Sequence, residues 1–457
     1  MAGFSAPAPA EAAREGSVGD RPEREAREGS VGDRPEREKN EKNENKLIST
    51  NYPYPKLRPI DIQSTVQRGQ PALLLRDPLQ LSGNYVVLPE TLGPALAMLD
   101  GALALNDIRL GAMVSYGLVY PDELLQYLIE VLDENFMLEN ARAAAAHERD
   151  LTAYRTAPFR LPAMAGLSYP ADPAELRRLF DGYLRQVNGA GGAVLNGAGR
   201  GVFSPHIDYH RGGPVYAAVW QQAAAMAQAA ELVILLGTDH YSMDDRLTLT
   251  RQSYATPYGL LPTDTALVDA LAEAIGPDAA FRGELRHRGE HSLELVATWL
   301  HHMRGGRPVA LLPILTGSFA DFIAGRGDPA GDAALAAFLA TLRQRAWGQG
   351  RRVMVVASGD LAHVGPAFGG ADVDAAGRVA LRQADDELLQ QLAAGSAAGF
   401  FAAIRRVEDR NNVCGVSPFY LALRLLGDVE GQVVAYDQCP ADQRHTSLVS
   451  VCGMVFG

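Results

Sequence analysis

From about residue 160 to the end of the chain, apolar runs alternate with amphipathic stretches. Val202-Phe203-Ser204, Leu232-Val233-Ile234-Leu235-Leu236, Val309-Ala310-Leu311-Leu312 and Val353-Met354-Val355-Val356 are uninterrupted. Such runs predict strands buried on both faces. Between them lie stripes at helical spacing. Asp172 can cap a helix opened by Pro173, with Leu176, Leu179, Phe180 and Leu184 on one face. Further helices are predicted over 215–230, 263–275, 290–303, 327–347, in two pieces over 373–405, and over 419–426. Shorter apolar runs predict a strand over 244–252 and final strands over 433–436 and 447–456. The alternation is that of an α/β domain over residues 160–457, a mixed sheet flanked by helices.

The pattern differs ahead of this domain. Residues 55–150 predict two short strands, Ala72–Pro78 and Asn84–Pro89, followed by helices over 91–99, 107–116 and 121–132. The last has Leu124, Leu125, Leu128 and Val131 on one side. This is a small winged-helix-like α+β unit without a cluster of chemistry-bearing residues, which suits docking. Residues 1–46 have almost no large apolar side chains, and Ala13–Glu25 recurs verbatim as Ala26–Glu38. That composition predicts a disordered tail. The glycine-rich Asn188–Gly201 stretch follows a helix and precedes a strand, the reverse of a dinucleotide fingerprint, and reads as a connector.

Composition narrows the function. Of 457 residues 47% are apolar and 21% charged, and the net charge is −12, which argues against nucleic acid as a partner. Three cysteines are too few for a disulfide framework and suit a reducing cytoplasm. No run reaches the roughly 18 apolar residues of a membrane span, so no membrane association is expected.

The chemistry gathers where apolar runs stop. Ser204-Pro205-His206, Thr238-Asp239-His240 and Gly359-Asp360-Leu361-Ala362-His363 each follow a predicted strand. In open α/β sheets ligands bind beyond the carboxyl ends of strands. Cys414 stands ahead of a helix marked by Pro418, and a helix N-terminus or a metal would favour its thiolate. His206, His240 and Cys414 together supply two imidazoles and one soft anion, a set suited to iron, copper or zinc. His363 is then a candidate base, oriented by Asp360. Glu290 and His291 open a helix and are read as lining the pocket, the alternative being that Glu290 serves the helix dipole and His291 satisfies backbone groups. His210, His301 and His302 are read as surface or structural.

The motifs, in order, resemble the MEMO-like family, related in fold to class III extradiol dioxygenases of the LigB type. They are Ala165-Gly166-Leu167-Ser168-Tyr169, Ser204-Pro205-His206, Leu236-Gly237-Thr238-Asp239-His240, Glu290-His291-Ser292-Leu293-Glu294, Leu312-Pro313-Ile314-Leu315, Ser358–His363 and Val413-Cys414-Gly415. The resemblance implies a MEMO/LigB-like sheet, iron or copper at His206, His240 and Cys414, and an acid/base role for His363. The sequence departs from the pattern at Leu167, Asp208 and Tyr241. With its N-terminal unit the chain resembles the AmmeMemoRadiSam system B branch, which implies a radical SAM enzyme and an AMMECR1-like protein as partners. The expected activity is a metal-dependent oxidoreductase acting on an unidentified small molecule. The alternatives are a non-catalytic metal-binding scaffold and, ranked last, a zinc hydrolase using metal-bound water.

Overall fold

A computed structural model of the chain describes residues 52–187, 199–242, 244–348 and 350–457. The predicted tail and most of the glycine-rich connector lie outside the described residues. The chain divides into two compact units, with the boundary between Arg149 and Asp150.

In the first unit an antiparallel sheet pairs β1 (Asp61–Gln67) with β2 (Gln70–Arg76) and β2 with β3 (Tyr85–Pro89). Helices Leu105–Tyr116 and Asp122–Glu134 cover one face. Leu75, Leu88, Ile108, Leu128 and Leu132 form its core. Strand β1 was not foreseen. Its sequence, DIQSTVQ, is mostly polar because it is an edge strand with every residue at least partly exposed.

The second unit carries a mixed sheet, and the expected α/β architecture is borne out. Its strands are β4 (Gly201–Ser204), β5 (Leu232–Thr238), β6 (Leu247–Leu249), β9 (Ala310–Thr316), β10 (Val353–Ser358), β11 (His363–Val364), β12 (Gly431–Pro440) and β13 (Leu448–Phe456). They run in the order β11-β13-β4-β10-β5-β9-β6, with β12 on β13. A separate hairpin pairs β7 (Tyr254–Thr256) with β8 (Gly259–Leu261). Strands β4, β10, β5 and β9 are parallel neighbours.

The uninterrupted apolar runs now have a cause. Leu232, Ile234 and Leu236 of β5 enter one core, while Val233 and Leu235 enter the other across the sheet. Burying five such side chains contributes on the order of 10 kcal/mol, comparable with the net stability of a whole domain. The strand ends are therefore fixed platforms for polar groups.

One helix begins earlier than its apolar stripe suggests. It spans Tyr209–Gln222, because the Asp208 carboxylate accepts the Arg211 N–H and caps it. The predicted 327–347 helix is shorter, Ala333–Leu342, and continues as a π-helical turn over Arg343–Trp347. Among the described residues, no helix is long and apolar enough to cross a membrane.

Candidate metal centre

Parallel pairing sets Ser358 of β10 beside Ser204 of β4 and Gly237 of β5. The residues that follow these strands, His206, His240 and Asp360, therefore emerge side by side. Cys414 comes from the opposite direction, on the loop leading into helix Val416–Leu426. Its carbonyl accepts the Thr238 hydroxyl at 2.9 Å, which ties that loop to the end of β5.

Ligand atoms of His206, His240 and Cys414 lie within 4.8 Å of one another. His206 Nε2 is 3.1 Å from Cys414 Sγ. Two further groups overlap this set: His240 with Glu290 and His291, and Asp360 with His363 and Cys414. The rings of His240 and His291 stack at 4.7 Å, and the rings of His206 and His240 meet edge-on at 4.9 Å. His206, Asp360, His363 and Cys414 are buried, whereas a third of the His291 side chain is exposed. Solvent thus reaches the cluster on the His291 side.

Two features correct expectations from the sequence. Asp360 does not orient His363 through a direct bond. Gly359 N–H donates to Ser204 O at 3.1 Å, turning the chain towards β4. The Asp360 carboxylate then accepts the N–H of His206 at 2.9 Å and of Ile207 at 3.4 Å. The ring of His363 is held instead by Asn412, whose carbonyl lies 3.0 Å from Nδ1, while Asn411 O accepts the His363 N–H at 2.7 Å. The second concerns Cys414. Burial pushes its thiol well above the ordinary range, and the negative charge of Asp360 adds to that. The helix starts two residues later, at Val416.

Glu290 meets both its own helix and the histidine cluster. Glu290 caps helix His291–Met303 through the Ser292 N–H, and its carboxylate lies 3.0 Å from His240 Nδ1. It also accepts the His240 N–H at 3.1 Å. Burial disfavours charge on both partners, yet their attraction wins: His240 is raised and Glu290 lies well below the usual carboxylate range. Burial foremost, and the neighbouring imidazoles after it, depress His206. His363 is lowered to about 4, also chiefly by burial. Its ring is therefore neutral near pH 7.

Arg160 was missed altogether. Its side chain and that of Glu294 are each 1% exposed and pair at 2.6 Å. Its other N–H groups donate to the carbonyls of His287 and Glu290. Glu294 also accepts the N–H groups of Ala163 and Met164 and the Tyr169 hydroxyl. Segment 160–169 is thereby clamped to the helix that starts at His291. Nothing in the local sequence signals this, because the two charges are 134 residues apart.

The departures from the family pattern also have places. Leu167 is largely exposed, Asp208 caps its helix and pairs with Arg211 at 2.5 Å, and Tyr241 follows His240 in partial exposure. His210 is exposed. His301 and His302 are buried, with Nδ1 facing the Thr256 and Tyr258 hydroxyls.

A mixed α/β sheet with a histidine–cysteine cluster at its strand ends defines the class. Residues 160–455 match the Memo-like protein family, and the chain belongs to that family. It is 25% identical over 409 residues to a MEMO1 family protein of Aquifex aeolicus, covering 88% of this chain and 99% of that one. A MEMO1 family protein of Thermus thermophilus is 28% identical over 334 residues, 73% of this chain and 93% of its own. One from Methanopyrus kandleri is 27% identical over 286 residues, 61% of this chain and 91% of its own.

Proposed function

We propose that this chain is a metal-binding protein and a non-haem metal-dependent oxidoreductase of dioxygenase-like architecture. His206, His240 and Cys414 would hold iron, with copper as the alternative. The observation that carries the reading is the Glu290 carboxylate on the outer nitrogen of His240. A carboxylate placed there fixes the ring and makes it a better donor at Nε2, a recurrent arrangement behind metal-bound histidines. The remaining donors fit as well. The buried thiol would ligate as the thiolate once a bound cation supplied the compensating charge, its proton being released to solvent. Bound iron or copper would supply a redox-active Lewis acid with coordination positions left for a small molecule.

The chain's own groups do the rest. His363 is neutral, and the Asn412 carbonyl at Nδ1 favours the tautomer whose lone pair is on Nε2. It would accept and return a proton within the cluster. His291, on the solvent side, would contact the arriving molecule. Asp360 holds the His206 backbone in register.

A second reading is a metal-binding scaffold of an AmmeMemoRadiSam-type system, engaging a radical SAM enzyme and an AMMECR1-like protein through residues 55–150. It is favoured by the exposed apolar Leu110, Met113, Val114 and Val119 of that unit.

Elemental analysis of anaerobically purified protein, beside His240→Ala, tests the primary reading. About one iron or copper per chain, lost in the variant, is expected, and an oxygen-consumption screen then follows. Absence of metal, or metal indifferent to His240, would remove the proposed centre. Metal without any turnover would leave the scaffold reading.

A further inference from the structure

At the end of the sheet opposite the histidines, where β4 and β10 begin, lies a cavity of about 230 Å³ lined by Arg200, Arg343, Trp347, Leu425, Leu426 and Gly427. Its surroundings are unusual for this chain. Residues 343–352 (RQRAWGQGRR) carry four arginines and no acid in a protein of net charge −12. Two of the four are neutralised: Arg351 pairs with Asp264 at 2.8 Å and Arg352 with Glu231 at 3.0 Å. Arg343 and Arg200 meet no carboxylate among the described residues.

Both cations are nevertheless held in place. Arg343 donates to the Arg424 carbonyl, and Arg200 donates to the Asp428 carbonyl at 3.1 Å. The Arg424 carbonyl stands in the last turn of helix Val416–Leu426, where lone pairs are left without helical partners, and that of Asp428 two residues past its end. The helix end contributes about half a negative charge, and two guanidiniums more than reverse it. Each guanidinium has five N–H groups, so most remain for a further acceptor.

Trp347 forms the other wall. It is half-buried and packs against the main core at its edge. It closes the π-helical turn that begins at Arg343, and both residues line the cavity. Single π turns recur at functional sites, because they rotate side chains away from the ordinary helical positions. The lining therefore joins two oriented cations to an aromatic face and two leucines, in a volume below that of a drug-sized pocket.

We propose that this cavity binds a small organic anion, with a carboxylate or phosphate monoester between Arg200 and Arg343 and a flat apolar body against Trp347. The site is independent of the metal centre. The chain has three tryptophans, and Trp220 and Trp299 are fully buried, so collisional quenching by acrylamide reads Trp347. Benzoate and phenyl phosphate are titrated into the full chain, with benzyl alcohol as the uncharged control. Saturable shielding of Trp347 by an anion, weaker for the alcohol, is expected, and the tighter of the two anions identifies the head group. Arg200→Gln and Arg343→Gln should each weaken binding by about tenfold, the loss of one charge-assisted contact, with melting temperature and metal content unchanged. Arg343→Lys retains the charge and should recover part of the loss. No saturable shielding, equal shielding by benzyl alcohol, or variants that bind as the wild type would overturn the proposal.

Discussion

Glu290 caps its own helix and meets the ring of His240 with a single carboxylate. Glu290→Gln keeps an amide oxygen for the Ser292 N–H, removes the negative charge beside His240, and sets an NH2 where the second oxygen accepted the His240 N–H. Metal affinity should fall by about 10–100-fold, as measured by competition with a chelator. Unchanged affinity would dismiss the carboxylate as a purely structural cap. Asp385 offers an independent test away from the cluster. Its side chain is buried, takes the Tyr436 hydroxyl at 2.7 Å, and burial raises its carboxyl to about 6. A carboxyl raised on folding favours the folded state while protonated. Stability from this group is thus full below about pH 4 and lost as pH rises through about 6, a penalty on the order of 3 kcal/mol. Asp385→Asn keeps an acceptor without the charge. Its midpoint in urea should equal that of the wild type near pH 4 and exceed it at pH 8; a constant difference across pH would refute the assignment.

At the scale of elements, the centre depends on two backbones in close contact. A Cβ on Gly359 would lie 2.6 Å from Gly415 Cα, and one on Gly415 would lie 2.8 Å from Asp360 O. Only glycine lets the end of β10 approach the Cys414 loop closely enough for Gly415 N–H to reach Asp360 O at 2.9 Å. Gly359→Ala should therefore push the loop outward, lowering metal content and the melting temperature together. Calorimetry beside metal analysis checks this, and a variant that keeps both would show that the loop can yield. The same elements show what sequence could convey. Strands β5, β9 and β10 were legible as apolar runs because both of their faces are buried. His206, His240 and Cys414 were legible because they interrupt or border such runs. The Arg160–Glu294 clamp was not, since charges distant in sequence carry no period. Strand β1 was hidden by its polar edge, and the partner of Asp360 depended on which neighbouring strand Gly359 turns towards.

On the scale of the whole molecule, the two units have separate cores. Every residue of the two large cores lies at or beyond Tyr169, and the core of the smaller unit ends at Leu138. The relatives divide in the same way. The match to the Aquifex protein extends over 409 residues, further than the Memo-like region, whereas 286 residues make up 91% of the Methanopyrus protein. The aligned length of that second protein is close to that of the Memo-like region, residues 160–455. A fragment beginning at residue 140 retains the whole of helix Ala141–Thr156, including Asp150 and Arg155, which pair with Arg288 and Glu284. It also retains every residue of the candidate centre. This fragment should fold alone, melt cooperatively, and bind the same number of metal ions per chain as the full protein, with an affinity within about threefold. Native mass spectrometry of the fragment beside the full chain decides the matter, and a folded fragment that no longer takes up metal would mean that residues 52–139 help to complete the centre.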